Sequence, residues 1–252
     1  MLKIKNKLLP CILTVLFFAG IMLLWMFLSP DKNKTNIKIM EGTAVETNME
    51  IIKSDSPGKT IFIIGGIHGD ETSGWMAADK LKKLRTLRSG TLIILSPANA
   101  PGSSSGERDV ETYRDLNRSF PGTKDRDLTD RLAASIYQAV KNYSPDLVID
   151  LHEAYREEGN RDFLGNSLIF TDMTGLEELV PELILETQNG GLTGSPFSYY
   201  NSAPPGSLNR EVSIGLKIPA LTIEASQEDP LEERIDSHLA LLHRILQFYS
   251  ME

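Results

Sequence analysis

The chain has 252 residues, with 26 basic and 34 acidic side chains and a formal net charge of −8. An acidic balance without a basic stripe argues against a polyanion binder, so no nucleic-acid partner is expected. Its one cysteine, Cys11, excludes a disulfide framework, and it leaves residues 31–252 without a thiol nucleophile.

Lys3, Lys5 and Lys7 lead into residues 8–28, an uncharged run of 21 residues. That length suits one membrane-crossing helix. Its exit, Trp25-Met-Phe-Leu-Ser-Pro30, is too bulky for a signal-peptide cleavage site. Residues 1–30 are therefore expected to be an uncleaved N-terminal anchor, with the basic start cytoplasmic and the following domain extracytoplasmic. Residues 31–38 read as a polar tether, and 39–252 as one domain with a full-sized core. Further elements follow in chain order: a hairpin at about 38–55, a strand at 60–65 and a helix at 72–84. A strand at 91–96, a loop over 97–124, a helix at 127–142 and a strand at 146–151 come next. The chain closes with a strand at 167–171, a helix at 175–188, a loop over 189–210, a strand at 218–224 and a helix at 231–249. The last helix opens at Pro230 and aligns Leu231, Ile235, Leu239, Leu242 and Leu246 on one face. Apolar strands alternating with helices predict an α/β fold, a mixed, mostly parallel sheet sandwiched by helices. Both loops are longer than a compact domain needs for connection alone, which assigns them to pocket walls.

The most informative stretch is Gly65-Gly-Ile-His68-Gly-Asp-Glu71, between the first apolar strand and its helix. Two glycines permit a sharp exit from the strand. His68 and Glu71 are spaced to point the same way on a helical turn. Imidazole and carboxylate are ordinary zinc ligands, and a catalytic zinc takes three from the protein. His152 and Glu224 likewise follow apolar strands, Asp146-Leu-Val-Ile-Asp-Leu151 and Pro219-Ala-Leu-Thr-Ile223. His68, His152 and Glu224 thus gather at the carboxyl rim of the sheet, where open α/β folds place their chemistry. His238 and His243 fall in the terminal helix and read as ordinary helix residues. Gly102-Ser-Ser104-Ser-Gly106 matches a nucleophile elbow, but Pro97 and Pro101 part it from the preceding strand and no apolar helix follows. A flexible Gly/Ser loop at the site mouth is the better reading.

His68-Gly-Asp-Glu71, Asp115-Leu-Asn-Arg118 with Phe120-Pro-Gly122, Asp150-Leu-His152 and the late Glu224 together resemble the zinc carboxypeptidase (M14-type) superfamily, nearest its succinylglutamate desuccinylase/aspartoacylase branch. The likeness covers about residues 59–226. It implies one zinc per chain held by His68, Glu71 and His152, with Glu224 as general base. Asn117 and Arg118 would grip a substrate carboxylate, and Asp115 would orient His68. The family stations an arginine before the Asp-Leu-Asn-Arg block to stabilise the oxyanion. Arg108 and Arg114 compete for that place, with Arg108 preferred there and Arg114 assigned to substrate binding. Such roles are chemically coherent: zinc acidifies water, a nearby carboxylate takes its proton, and arginine forks match carboxylates. Peptidase members carry a tyrosine shortly before the catalytic glutamate, but Gly206-Ser-Leu-Asn-Arg-Glu-Val212 holds none, leaving Tyr199 or Tyr200. Only 28 residues follow Glu224, room for one helix rather than a domain that narrows the pocket. Glu153, beside His152, is expected to turn away by strand alternation. The resemblance implies a zinc-dependent hydrolase removing an acyl group from an N-acyl amino acid, or a metallocarboxypeptidase trimming extracellular or cell-wall peptides. Its substrate would be a small carboxylate-bearing amide or peptide. A non-catalytic binding module is the reading from another class.

Overall fold

A computed structural model of the chain describes Leu16 and residues 33–84, 86–111, 114–155 and 164–252. Eight strands form one sheet: β1 (Lys34–Ile39), β2 (Thr47–Lys53), β3 (Thr60–Gly65), β4 (Thr91–Leu95), β5 (Leu147–Ala154), β6 (Ser167–Ile169), β7 (Ser198–Tyr200) and β8 (Ala220–Ser226). The helices are α1 (Thr72–Leu81), α2 (Ala100–Ser105), α3 (Leu128–Tyr143), α4 (Leu179–Gln188), α5 (Leu208–Glu211) and α6 (Leu231–Phe248). The strand order is β1-β2-β4-β3-β5-β8-β6-β7. The central run β4-β3-β5-β8 is parallel, and antiparallel pairs join β1 to β2, β2 to β4 and β6 to β8.

Side-chain alternation divides the core in two. Ile61, Ile63, Leu147, Ile149, Leu221 and Ile223 face one side, with α1, α4 and α6 packed over them. Phe62, Ile64, Val148 and Ala220 face the other, beneath α3. Burial on both faces explains why these strands read as unbroken apolar runs rather than as alternating ones.

Two expectations are corrected. Among the described residues no helix is long and apolar enough to cross a membrane, so an N-terminal transmembrane helix is not supported, and the fold class stands as a mixed α/β sheet. The anchor assigned to residues 1–30 lies, Leu16 apart, outside the described residues. The polar tether of 31–38 gives way to strand from Lys34, paired antiparallel with β2. A stretch this polar forms a strand because it is an edge: only Ile39 is buried, and lysine on an edge discourages pairing with another chain.

Close backbone approach seats α1 on the sheet. A Cβ on Gly74 would lie 2.7 Å from the Leu151 carbonyl oxygen. Gly74→Ala is expected to push α1 off β5 and destabilise the protein by about 1–3 kcal/mol, the range for overpacking, read as a lower urea midpoint. An unchanged midpoint would mean that the helix does not sit this close.

Candidate active site

The first strand–helix crossover builds one wall. Gly66 takes φ +76° and turns the chain out of β3, where His68 follows at the sheet rim. Glu71 occupies the position that caps α1, yet its side chain makes no capping hydrogen bond. Its carboxylate is directed instead at two imidazoles: Oε1 lies 2.6 Å from His68 Nδ1 and Oε2 lies 2.7 Å from His152 Nδ1. The two rings stand edge to face, centroids 4.7 Å apart. His68, Glu71 and His152 are all buried and offer ligand atoms within 4.8 Å of one another.

Each imidazole has a carboxylate on its other nitrogen. Asp115 Oδ1 is 3.0 Å from His68 Nε2, and Asp150 Oδ2 is 2.9 Å from His152 Nε2. Asp150 shares a sheet face with His152 because the two are separated by one residue on β5. The sequence shows that spacing, and the contact with His152 gives Asp150 its role. Burial opposes ionisation of Glu71, but the two imidazoles hold its pKa well below the ordinary range. Burial likewise disfavours a charged His152, yet Asp150 and Glu71 hold its pKa well above that of free imidazole. His68 is raised by Glu71 and Asp115 against the same burial. A site that gathers this much negative charge around two rings invites cations. Two imidazole nitrogens and a carboxylate oxygen, each imidazole backed by an acid, are a donor set that could hold a divalent metal ion.

Glu224 comes from β8, in register with His152. It lines the same pocket, of about 400 Å³. Its Oε2 is shut off from solvent without a hydrogen-bond partner, and burial pushes its pKa up to about 7. Arg108 also lines the pocket, donating from Nη1 to Glu71 Oε1 at 2.8 Å and from Nη2 to Asp115 Oδ2 at 3.3 Å. Asn117 and Arg118 arrive on a 3₁₀ turn capped by Asp115, whose Oδ1 accepts from Asn117 N at 2.7 Å. The Asn117 amide is partly engaged: Oδ1 accepts from Leu208 N at 2.9 Å, and Nδ2 lies 3.2 Å from His152 Nε2. Arg118 is exposed, and its guanidinium donates to the Asn117 carbonyl at 2.8 Å. From the second long loop, Ala203, Pro204 and Ser207 complete the wall, residues that carried no motif.

Arg114 is the residue that the fold removes from the site. It donates to Asp130 and forms an ion pair with Asp127 at 3.1 Å, which ties the loop to the start of α3. Spacing could not separate it from Arg108, because loop direction decides which arginine faces inward. Tyr199 and Tyr200 are absent from the pocket lining; the Tyr199 ring stacks on Phe170. Ser104 lies on α2, exposed, its hydroxyl donating to the Ala100 carbonyl at 2.9 Å. His243 pairs with Glu252 at 2.8 Å, while His238 is wholly buried, where desolvation lowers its pKa to about 3.

A family model described as the succinylglutamate desuccinylase/aspartoacylase catalytic domain matches residues 57–248. The chain belongs to this family. An N-alpha-acetyl-L-2,4-diaminobutyric acid deacetylase from Halomonas elongata is 37% identical over 102 residues, 39% of this chain and 30% of that protein. Among solved structures, tripeptide-bound cell shape determinant Csd4 from Helicobacter pylori superposes with a TM-score of 0.64 at 21% identity, over 81% of this chain and 56% of that one. A succinylglutamate desuccinylase/aspartoacylase from Rhodobacter sphaeroides gives 0.62 at 19% identity, over 86% and 66%. The chain thus spans less than a third of the deacetylase and between half and two thirds of these structures, whose likeness establishes the fold.

Asp115→Asn is expected to weaken divalent-metal binding about tenfold, the usual effect of losing a carboxylate behind a ligand histidine, whereas Arg114→Ala leaves it unchanged. Calorimetric titration of both variants would read the difference. Equal losses would place Arg114 back in the site.

Proposed function

We propose that this chain is a zinc-dependent amide-bond hydrolase that removes the acyl group from an N-acyl amino acid. The observation that carries this reading is the convergence of His68, Glu71 and His152 in one pocket with the unpartnered carboxylate oxygen of Glu224. Membership of a deacylase family supports the reaction type, as does the resemblance to a deacetylase of an N-acetylated diamino acid.

His68, Glu71 and His152 would hold the zinc, with Asp115 and Asp150 setting the orientation of the two rings. Zinc, when bound, supplies a Lewis acid that polarises the amide carbonyl and lowers the pKa of water. Glu224 accepts a proton from the attacking water as the new C–O bond forms. It then passes that proton to the amide nitrogen as the C–N bond breaks, releasing acid and amine. Arg108 stands where it can donate to the developing oxyanion once it turns from Glu71, and preorganised donors at such a place are a large share of catalysis. Arg118 at the pocket wall offers a fork for the substrate carboxylate.

Removal of a C-terminal residue from a short peptide is the second reading. Tyr155 lines the pocket and is 58% exposed, and a protein of like fold binds a tripeptide. A screen of N-acyl amino acids against short peptides with zinc-loaded protein separates the two. Hydrolysis that survives exhaustive chelation would overturn both, and Ser104→Ala is expected to change nothing.

Glu224→Gln is expected to keep zinc and to lose at least about 10²-fold in kcat, the contribution of a positioned general base. In the wild type, kcat/KM should fall as pH drops through the Glu224 pKa, which the positive charge of a bound cation moves below 7. The metal-free protein carries an opposite signature. The folded-state pKa of Glu224 lies above its ordinary value of 4.5, so the native state binds the extra proton. Its contribution to stability is present below about pH 4.5 and is lost as pH rises through 7. Glu224→Gln should therefore raise the melting temperature of the metal-free protein at pH 8 by about 3 °C or more, with the gain shrinking at pH 5. A gain equal at both values would mean that Glu224 is not held in this buried state.

A further inference from the structure

Glu71 stands at the N-cap of α1 and makes no capping bond, because its carboxylate is turned to His68 and His152. A helix whose cap is diverted in this way leaves its first backbone N–H groups without partners. Glu153 fills the gap from another element. On β5 it follows His152, so its side chain projects from the opposite sheet face, toward α1 and α6. Its Oε1 accepts from the Ser73 backbone N–H at 2.6 Å, the bond that a cap residue ordinarily provides. Its own N–H donates to Glu71 Oε2 at 3.0 Å. Arg234 on α6 donates to the remaining oxygen, Oε2. The Glu153 side chain is only 2% exposed, so Arg234 balances a charge that burial would otherwise penalise severely.

We propose that Glu153 and Arg234 are positioning residues for the metal site. Glu153 caps α1 in place of Glu71 and, through its N–H, holds Glu71 Oε2 in the ligating orientation. Arg234 pairs with Glu153 and keeps its carboxylate seated against the start of α1. Glu153 also borders the pocket, but in this role both residues act through Glu71 and the start of α1. Without the clasp, the start of α1 competes with the cation for the Glu71 carboxylate, because that carboxylate is the nearest alternative cap. The inference rests on the reading that His68, Glu71 and His152 bind a divalent cation.

The test is zinc affinity itself, measured by chelator competition on the full chain at a temperature well below the melting point of every variant. Glu153→Ala is expected to weaken zinc binding between about tenfold and a hundredfold, the range for partners that orient a metal ligand. Arg234→Met should lower it as well, since it leaves Glu153 buried and uncompensated. The double variant Glu153→Gln with Arg234→Met keeps an oxygen acceptor for Ser73 without a buried charge. It should restore affinity to within about threefold of wild type, a non-additive pattern that general loss of stability does not produce. Lower melting temperatures with wild-type zinc affinity in both single variants would overturn the clasp while leaving the metal site intact. Absence of zinc binding by the wild type would overturn the metal site, and the clasp's role with it.

Discussion

A single buried carboxylate, Glu71, organises this molecule. An unpaired ionised acid in a protein interior costs several kcal/mol, and the fold meets that cost by bringing partners from three separate segments. His68 comes from the β3 exit, His152 and the Glu153 N–H from β5, and Arg108 from the long loop after β4. Each partner restricts where its own segment can lie. The packing of α1 against β5, which requires a residue without Cβ at position 74, follows from the same demand. A cation of charge two would complete what the protons on the imidazoles accomplish only in part.

Sheet parity divides the labour. Asp150, His152, Thr222 and Glu224 hold even positions on two adjacent parallel strands, and they share the face that carries the pocket. Glu153 holds an odd position: it borders the pocket beside His152, while its carboxylate bonds to the start of α1 and to Arg234 of α6. Reactive groups and their scaffold therefore occupy consecutive residues without competing for space. The cost is visible at Glu224, whose free oxygen has no partner, and at His238, buried with neither ring nitrogen bonded. Unsatisfied groups of this kind are where a fold gives up stability to keep a reactive arrangement.

The central strands and the flanking helices could be read from apolar runs and helical spacing, since burial on both faces leaves little room for polar residues. The rim positions of His68, His152 and Glu224 followed from the same runs. Less was legible in the loops. The stretch 97–124 conceals α2, a short helix without apolar period, and the 3₁₀ turn at Leu116–Arg118. Edge strand β1 looked like a tether because only one of its faces meets the core. Arg108 and Arg114 are equivalent on paper, and only the path of the loop, pinned by Arg114 to Asp127 and Asp130, separates them.

Local chemistry along the chain determined the strands, the helices, the family and the residue types able to bind a metal, because periodicity and motif spacing are properties of neighbours in sequence. Tertiary structure alone decided which acid backs which imidazole, which arginine faces the pocket, and that Glu153 rather than Glu71 caps α1. Those outcomes depend on contacts between residues up to 82 positions apart, such as the Glu153 N–H with Glu71, and distance along the chain carries no record of them.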